Sequence, residues 1–162
     1  MKGAIYMRTR LPGIVILGAG LVVAISVFVH PFGIVKAQGH DKPLFAGAQI
    51  ELEVLQIFER SCQNCHSERT EWPWYSYTAP IGWFIERDVH QGREHMDFSR
   101  WDEYDRSGQR DILTRMSAVL RSRQMPLPRY LILHPGSKLS EEEIATIDEW
   151  IQKERMRLKA MQ

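Results

Sequence analysis

The chain has 162 residues, enough for one ordinary domain plus an N-terminal extension. With 44% hydrophobic and 25% charged residues, it is composed neither as a disordered chain nor as a polytopic membrane protein. All 20 acids and 17 of the 21 bases fall after residue 36, so the body lacks the basic excess that nucleic-acid binding needs, and no nucleic-acid partner is expected.

Residues 1–10 carry Lys2, Arg8 and Arg10 and no acid. They precede a charge-free run, LPGIVILGAGLVVAISVFV, at 11–29. Positive charge tends to stay cytoplasmic, so this pattern predicts an N-terminal transmembrane helix over 11–30 with the rest of the chain outside. A cleaved signal segment is the other reading, with a small-residue site near Val35-Lys36-Ala37. The run exceeds the usual signal core, which favours the anchor. Both readings place the remainder on the periplasmic or extracytoplasmic side; the anchor reading keeps it at the inner membrane, with the membrane as a partner through the N-terminal helix.

Residues 31–47 mix Pro, Gly and polar residues and read as a linker. From 48 the pattern turns helical, with Ile50, Val54, Leu55, Ile57 and Phe58 mostly at helical spacings. Residues 67–80 hold two prolines and four aromatics without a period and predict an irregular loop. Helices are expected over 81–96, where Gly92 is unfavourable, and over 110–122, where Ile112, Leu113, Met116, Val119 and Leu120 share a face. Three prolines in 123–137 predict extended or turning chain. Ser140 and Glu143 then form a capping box before a helix with Ile144, Ile147, Trp150 and Ile151 on one stripe. No strand pattern and no repeat is present, so 48–158 is expected to be one all-α domain with long loops.

The only two cysteines stand in Cys62-Gln63-Asn64-Cys65-His66. This is the spacing of c-type haem attachment. Two thiols on one helical turn can add to the two haem vinyl groups, and the next residue can aim an imidazole at the iron. The expected cofactor is one covalent haem c, bound by Cys62 and Cys65, with His66 as an iron ligand. A thioredoxin-like pair would need a βαβ context. A zinc site would need further cysteines or a second paired set of ligands. A plain disulfide remains a third alternative.

For the second axial position the candidates are His90, His95, Met96, Met116, Met125 and His134. Met125 is preferred because it lies in a proline-bounded loop, Gln124-Met125-Pro126-Leu127-Pro128. Met116 reads as core, and His90 and His95 as solvent-facing. Trp72, Trp74, Tyr75, Tyr77 and Trp83 could pack on haem faces and bond propionates. Arg87, Arg93 and Arg129 are candidate propionate partners.

The run CQNCHSERTEWPWYSYTAPIGWFIERDVHQGREHMDFSRW, with RQMPLPRYLILHPGSKLSEEEIATIDEWI, resembles the small bacterial haem-binding domain family of c-type cytochromes. The resemblance rests on CxxCHS-x-x-T, PWY, AP-x-x-W, GR, FS-x-W, MP-x-x-Y and HP followed by an LS helix, across 48–152. It departs at Asp97, where Asn is common, and at Gly136-Ser137. The resemblance implies thioethers at Cys62 and Cys65, His66 as proximal ligand and Met125 as distal ligand. It also implies a cytochrome c-like fold whose last helix packs on the first. The expected role is one-electron transfer with redox partner proteins that the sequence does not name. The alternatives are a haem-based ligand sensor or a peroxidase-like protein, and a thiol-redox module without haem.

Overall fold

The computed structural model describes residues 3–26, 28, 29, 31, 32 and 42–161, apart from the side chains of 3–11, 23 and 26. Among them all regular structure is helical. The helices are α1 (Gly3–Ser26), α2 (Leu52–Ser61), α3 (Gln63–His66), α4 (Ile81–His95), α5 (Arg106–Arg121), α6 (Pro128–Leu133) and α7 (Glu141–Ala160). Short 3-10 turns cover Trp74–Tyr77, Phe98–Glu103 and Pro135–Ser137. The chain forms two compact units, one from residues 1–35 with 72–90 and the other from 36–71 with 91–162.

In the first unit, α1 takes in Arg8, Arg10 and Pro12 and stops at Ser26. At 1.5 Å per residue, Leu11 to Ser26 spans about 24 Å. A bilayer's hydrocarbon core is about 30 Å thick. Among the described residues no helix is long and apolar enough to cross a membrane. The expected transmembrane helix over 11–30 is therefore not supported. The possible cleavage site at Val35-Lys36-Ala37 lies outside the described residues. Ile14, Val15, Ile16 and Leu17, which together circle α1, are all exposed. Beyond its end, the Trp83 indole N–H donates to the Val29 carbonyl (2.7 Å).

The second unit is built on an aromatic cluster. Phe45 is buried among Phe58, Phe98, Trp101 and Trp150, with ring centroids 4.4–5.3 Å away. Leu44 and Phe45, at the end of the stretch read as linker, thus belong to the core. Phe45 has φ 55°. A bulky residue seldom takes this region. Its N–H donates to the Phe98 carbonyl (2.9 Å) and its buried ring holds it there.

The closing helix α7 packs against α5 and α2. Its contact with α2 runs through Phe58 and Trp150 (5.5 Å). The Trp150 indole N–H also donates to the Gln49 carbonyl (2.8 Å), so a large apolar ring is buried without losing its polar partner. The capping box at the start of α7 is present in both directions, between Ser140 and Glu143.

α5 starts at Arg106, earlier than its apolar stripe indicates. Asp105 caps it by accepting from the Gly108 N–H (2.7 Å). Part of 123–137 is helical, against expectation. Pro128 occupies the first turn of α6, where a missing N–H costs nothing. Truncating Phe45 should remove the centre of the aromatic cluster. We expect Phe45→Ala to lower unfolding free energy by about 3–5 kcal/mol, read as an earlier midpoint in denaturant titration with the slope retained.

Candidate haem-binding site

The backbone changes direction at Cys62, whose φ of −130° ends α2. Its N–H still donates to the Phe58 carbonyl (2.9 Å). Its own carbonyl accepts from the N–H groups of Cys65 (3.2 Å) and His66 (3.1 Å), winding α3 as one turn. Cys62, Cys65 and His66 therefore lie on a single short helical segment. The two cysteines are not cross-linked to each other. Burial, then the neighbouring Cys65, pushes the Cys62 thiol up to about 12. It stays protonated, which disfavours thiol–disulfide exchange as its role.

The segment after the motif folds back on it. The Ser67 hydroxyl donates to the Gln63 carbonyl (2.8 Å) and accepts from the Arg69 N–H (3.0 Å). The Thr70 hydroxyl donates to the Asn64 carbonyl (2.7 Å), and the Asn64 side-chain oxygen accepts from the Glu71 N–H (3.0 Å). Arg93 fastens this turn, donating from Nε to the Ser67 carbonyl (2.9 Å) and from Nη2 to the Thr70 hydroxyl (3.0 Å). Burial pulls Arg93 below its ordinary value, opposed by the Asp97 and Glu68 carboxylates. Arg93, a candidate propionate partner by sequence, is engaged with the loop that follows the motif.

His66 is buried, with its ring stacked on Phe98 at 5.6 Å. Its Nδ1 faces the carbonyls of Gly92 (3.0 Å) and Met96 (3.2 Å). Carbonyl oxygens only accept, so Nδ1 holds the ring proton and Nε2 keeps its lone pair. Burial lowers the His66 pKa, against the pull of the two carbonyls, so the ring is neutral at neutral pH.

Met125 follows α5, whose end is marked by Arg123 at φ 57°. The Val119 carbonyl accepts from the N–H groups of Gln124 (3.0 Å) and Met125 (3.4 Å). Met125 is half-buried and packs against the hydrophobic core. The chain beyond it is tied to the motif. Asn64 Nδ2 donates to the Tyr130 hydroxyl (3.2 Å), and the Ser137 hydroxyl donates to the Arg60 carbonyl (3.1 Å).

The other ligand candidates have the following surroundings. Met116 is in the core. The Met96 carbonyl lies at His66 Nδ1 (3.2 Å). His95 is exposed, with Nδ1 at the Gln91 carbonyl (2.8 Å). The His134 ring stacks on Tyr130 (4.1 Å). His90, Arg87, Trp72, Trp74, Tyr75, Tyr77 and Trp83 belong to the other unit, where Trp74 is 81% exposed. Arg129 is exposed. Phe98, Gly92, Ser67 and Thr70 entered the sequence reading only as motif or helix positions, with no role at the site. The Ser and Thr just past CxxCH, with their backbone-bonding habit, were the available signal.

A match to the haem-binding domain family covers residues 21–153. The chain belongs to this family. It is also similar to "Cytochrome c peroxidase Ccp" of Escherichia coli (strain K12), at 29% identity over 100 residues. That alignment takes in 60% of this chain and 22% of the relative, so the chain spans about a fifth of that protein's length. No solved structure matches.

For a haem-binding domain the donor set fits. Two thiols precede a neutral imidazole whose outward nitrogen is free of the proton, the form that binds iron. The loop that carries them depends on Arg93. We expect Arg93→Met to cost about 2 kcal/mol through loss of its charge-assisted bonds, measured by urea unfolding. A change within error would show that Arg93 does not hold the turn.

Proposed function

We propose that this haem-binding domain is a c-type cytochrome that carries single electrons outside the cytoplasmic membrane. Cys62 and Cys65 hold one haem through thioethers. The two thiols would supply the sulfurs of those thioethers. His66 would offer Nε2 to the iron, and Met125 its thioether sulfur. The haem supplies a one-electron couple, and occupation of both axial positions suits outer-sphere transfer to redox partner proteins. The observation that carries this reading is the His66 imidazole, proton held at Nδ1, at the end of a turn bearing two thiols.

Export rests on the basic N-terminus and the apolar run behind it. The exposed apolar side chains around α1 support a place at the membrane, because such a helix is poorly solvated by water. A pyridine haemochrome spectrum of the membrane and periplasmic fractions tests cofactor, linkage and location together. Haem that extracts into acidic acetone would remove the thioethers from the scheme.

The name of the Escherichia coli relative keeps a peroxidase-like reading as the second one, and it differs in requiring an open axial position. The untouched protein should show six-coordinate low-spin spectra, slow carbon monoxide binding and negligible hydrogen peroxide turnover. We expect Met125→Ala to open the site to carbon monoxide and lower the reduction potential by on the order of 100 mV. An unchanged spectrum and potential would exclude Met125 as ligand, and rapid peroxide turnover by the native protein would favour the second reading.

A further inference from the structure

Gly92 makes an approach that no other residue can make. A Cβ there would lie 2.5 Å from the Cys65 carbonyl oxygen, 3.0 Å from its carbonyl carbon and 3.3 Å from its Cβ. The nearest obstacles are backbone, which cannot rotate away as a side-chain tip can. The absence of a side chain therefore lets the last turn of α4 lie directly on the haem-attachment turn. At that distance the Gly92 carbonyl reaches His66 Nδ1 while still accepting its helical bond from the Met96 N–H (3.0 Å). The Met96 carbonyl, just past the end of α4, meets the same nitrogen.

We infer that Gly92 is a positioning residue that sets the electron donation of His66, through two carbonyls at the C-terminal end of α4. The inference rests on the haem c reading above. Carbonyls at a helix C-terminus carry its negative partial charge, and the Met96 carbonyl lies beyond the helical bonds of α4. Here they share one imidazole proton. Drawing that proton outward makes the opposite nitrogen more basic, as carboxylates and carbonyls do behind metal-bound histidines. A more basic ligand favours the ferric state, so this contact holds the reduction potential down. A side chain at 92 would push α4 off the turn and lengthen the contact.

The test compares native protein with Gly92→Ala, both made in a host that exports and attaches haem. The pyridine haemochrome of the native protein reads the underlying assignment by itself. If it reports no covalent haem, that assignment fails, and this inference with it. With haem c present, Gly92→Ala should raise the reduction potential and speed solvent exchange of the His66 Nδ1 proton, detected by NMR of the reduced protein. An unchanged potential and exchange rate in a haem-loaded variant would overturn the inference. Should the variant fail to fold, the native protein decides: a slowly exchanging proton on His66 Nδ1 supports the contact, and a rapidly exchanging one refutes it.

Discussion

A neutral imidazole has one proton for two nitrogens, so whatever captures that proton decides which nitrogen can bind a metal. In this protein the capture is by main chain. His66 Nδ1 faces two carbonyls one helical turn apart, and both are acceptors whatever their side chains. The ring cannot turn over without losing both bonds in a buried setting, where an unmet polar group costs about 1–3 kcal/mol. Phe98, stacked on the ring, closes one face against such rotation.

The rest of the second unit holds those two carbonyls and that ring in register. Phe98 reaches His66 because Phe45 stacks on it and donates its N–H to the Phe98 carbonyl. Phe45 in turn sits against Trp150 of α7, and Phe58 brings in α2, the helix that ends at Cys62. A polar layer runs beside this cluster. Ser99 is part of it. It accepts the Glu68 N–H through its hydroxyl (3.0 Å), while its own N–H goes to Asp97 (2.9 Å). The Glu68 carboxylate, buried within the loop after the motif, pairs with Arg100 (3.0 Å). Burial raises the Asp97 pKa, so its capping bond to Ser99 is made at an electrostatic cost. The resemblance noted above leads to the expectation of Asn at this position. An amide caps the same turn without the charge.

Local chemistry was readable in the sequence and non-local chemistry was not. Cys62, Cys65 and His66 share one turn because their spacing requires it, and the capping box at Ser140 needs only four residues. The stripe on α5 and the core placement of Met116 follow from helical periodicity. Phe45 was missed because it lies outside any periodic segment, in chain whose Pro and Gly content resembles a linker. α6 was missed because prolines were counted as breakers without regard to their place in the first turn. In the sequence Gly92 is a weak point in a helix and part of the GR motif, with no purpose visible. Its purpose depends on Cys65, which is distant in sequence, and no local rule reports that approach.

The same distinction separates the two sides of the proposed iron site. The His66 side is assembled from neighbours in sequence plus one turn of α4, and backbone supplies its decisive contacts. Substitution of side chains leaves carbonyls in place, so this side resists change except at Gly92. The Met125 side depends on a loop between α5 and α6 that reaches the motif through side chains, by way of Tyr130 and Asn64. Side-chain bonds are lost with a single substitution. An electron carrier needs both sides rigid, whereas a sensor or peroxidase needs one that yields. On this architecture a change of function would begin at the Met125 loop, because the His66 side offers few positions where a mutation could loosen it.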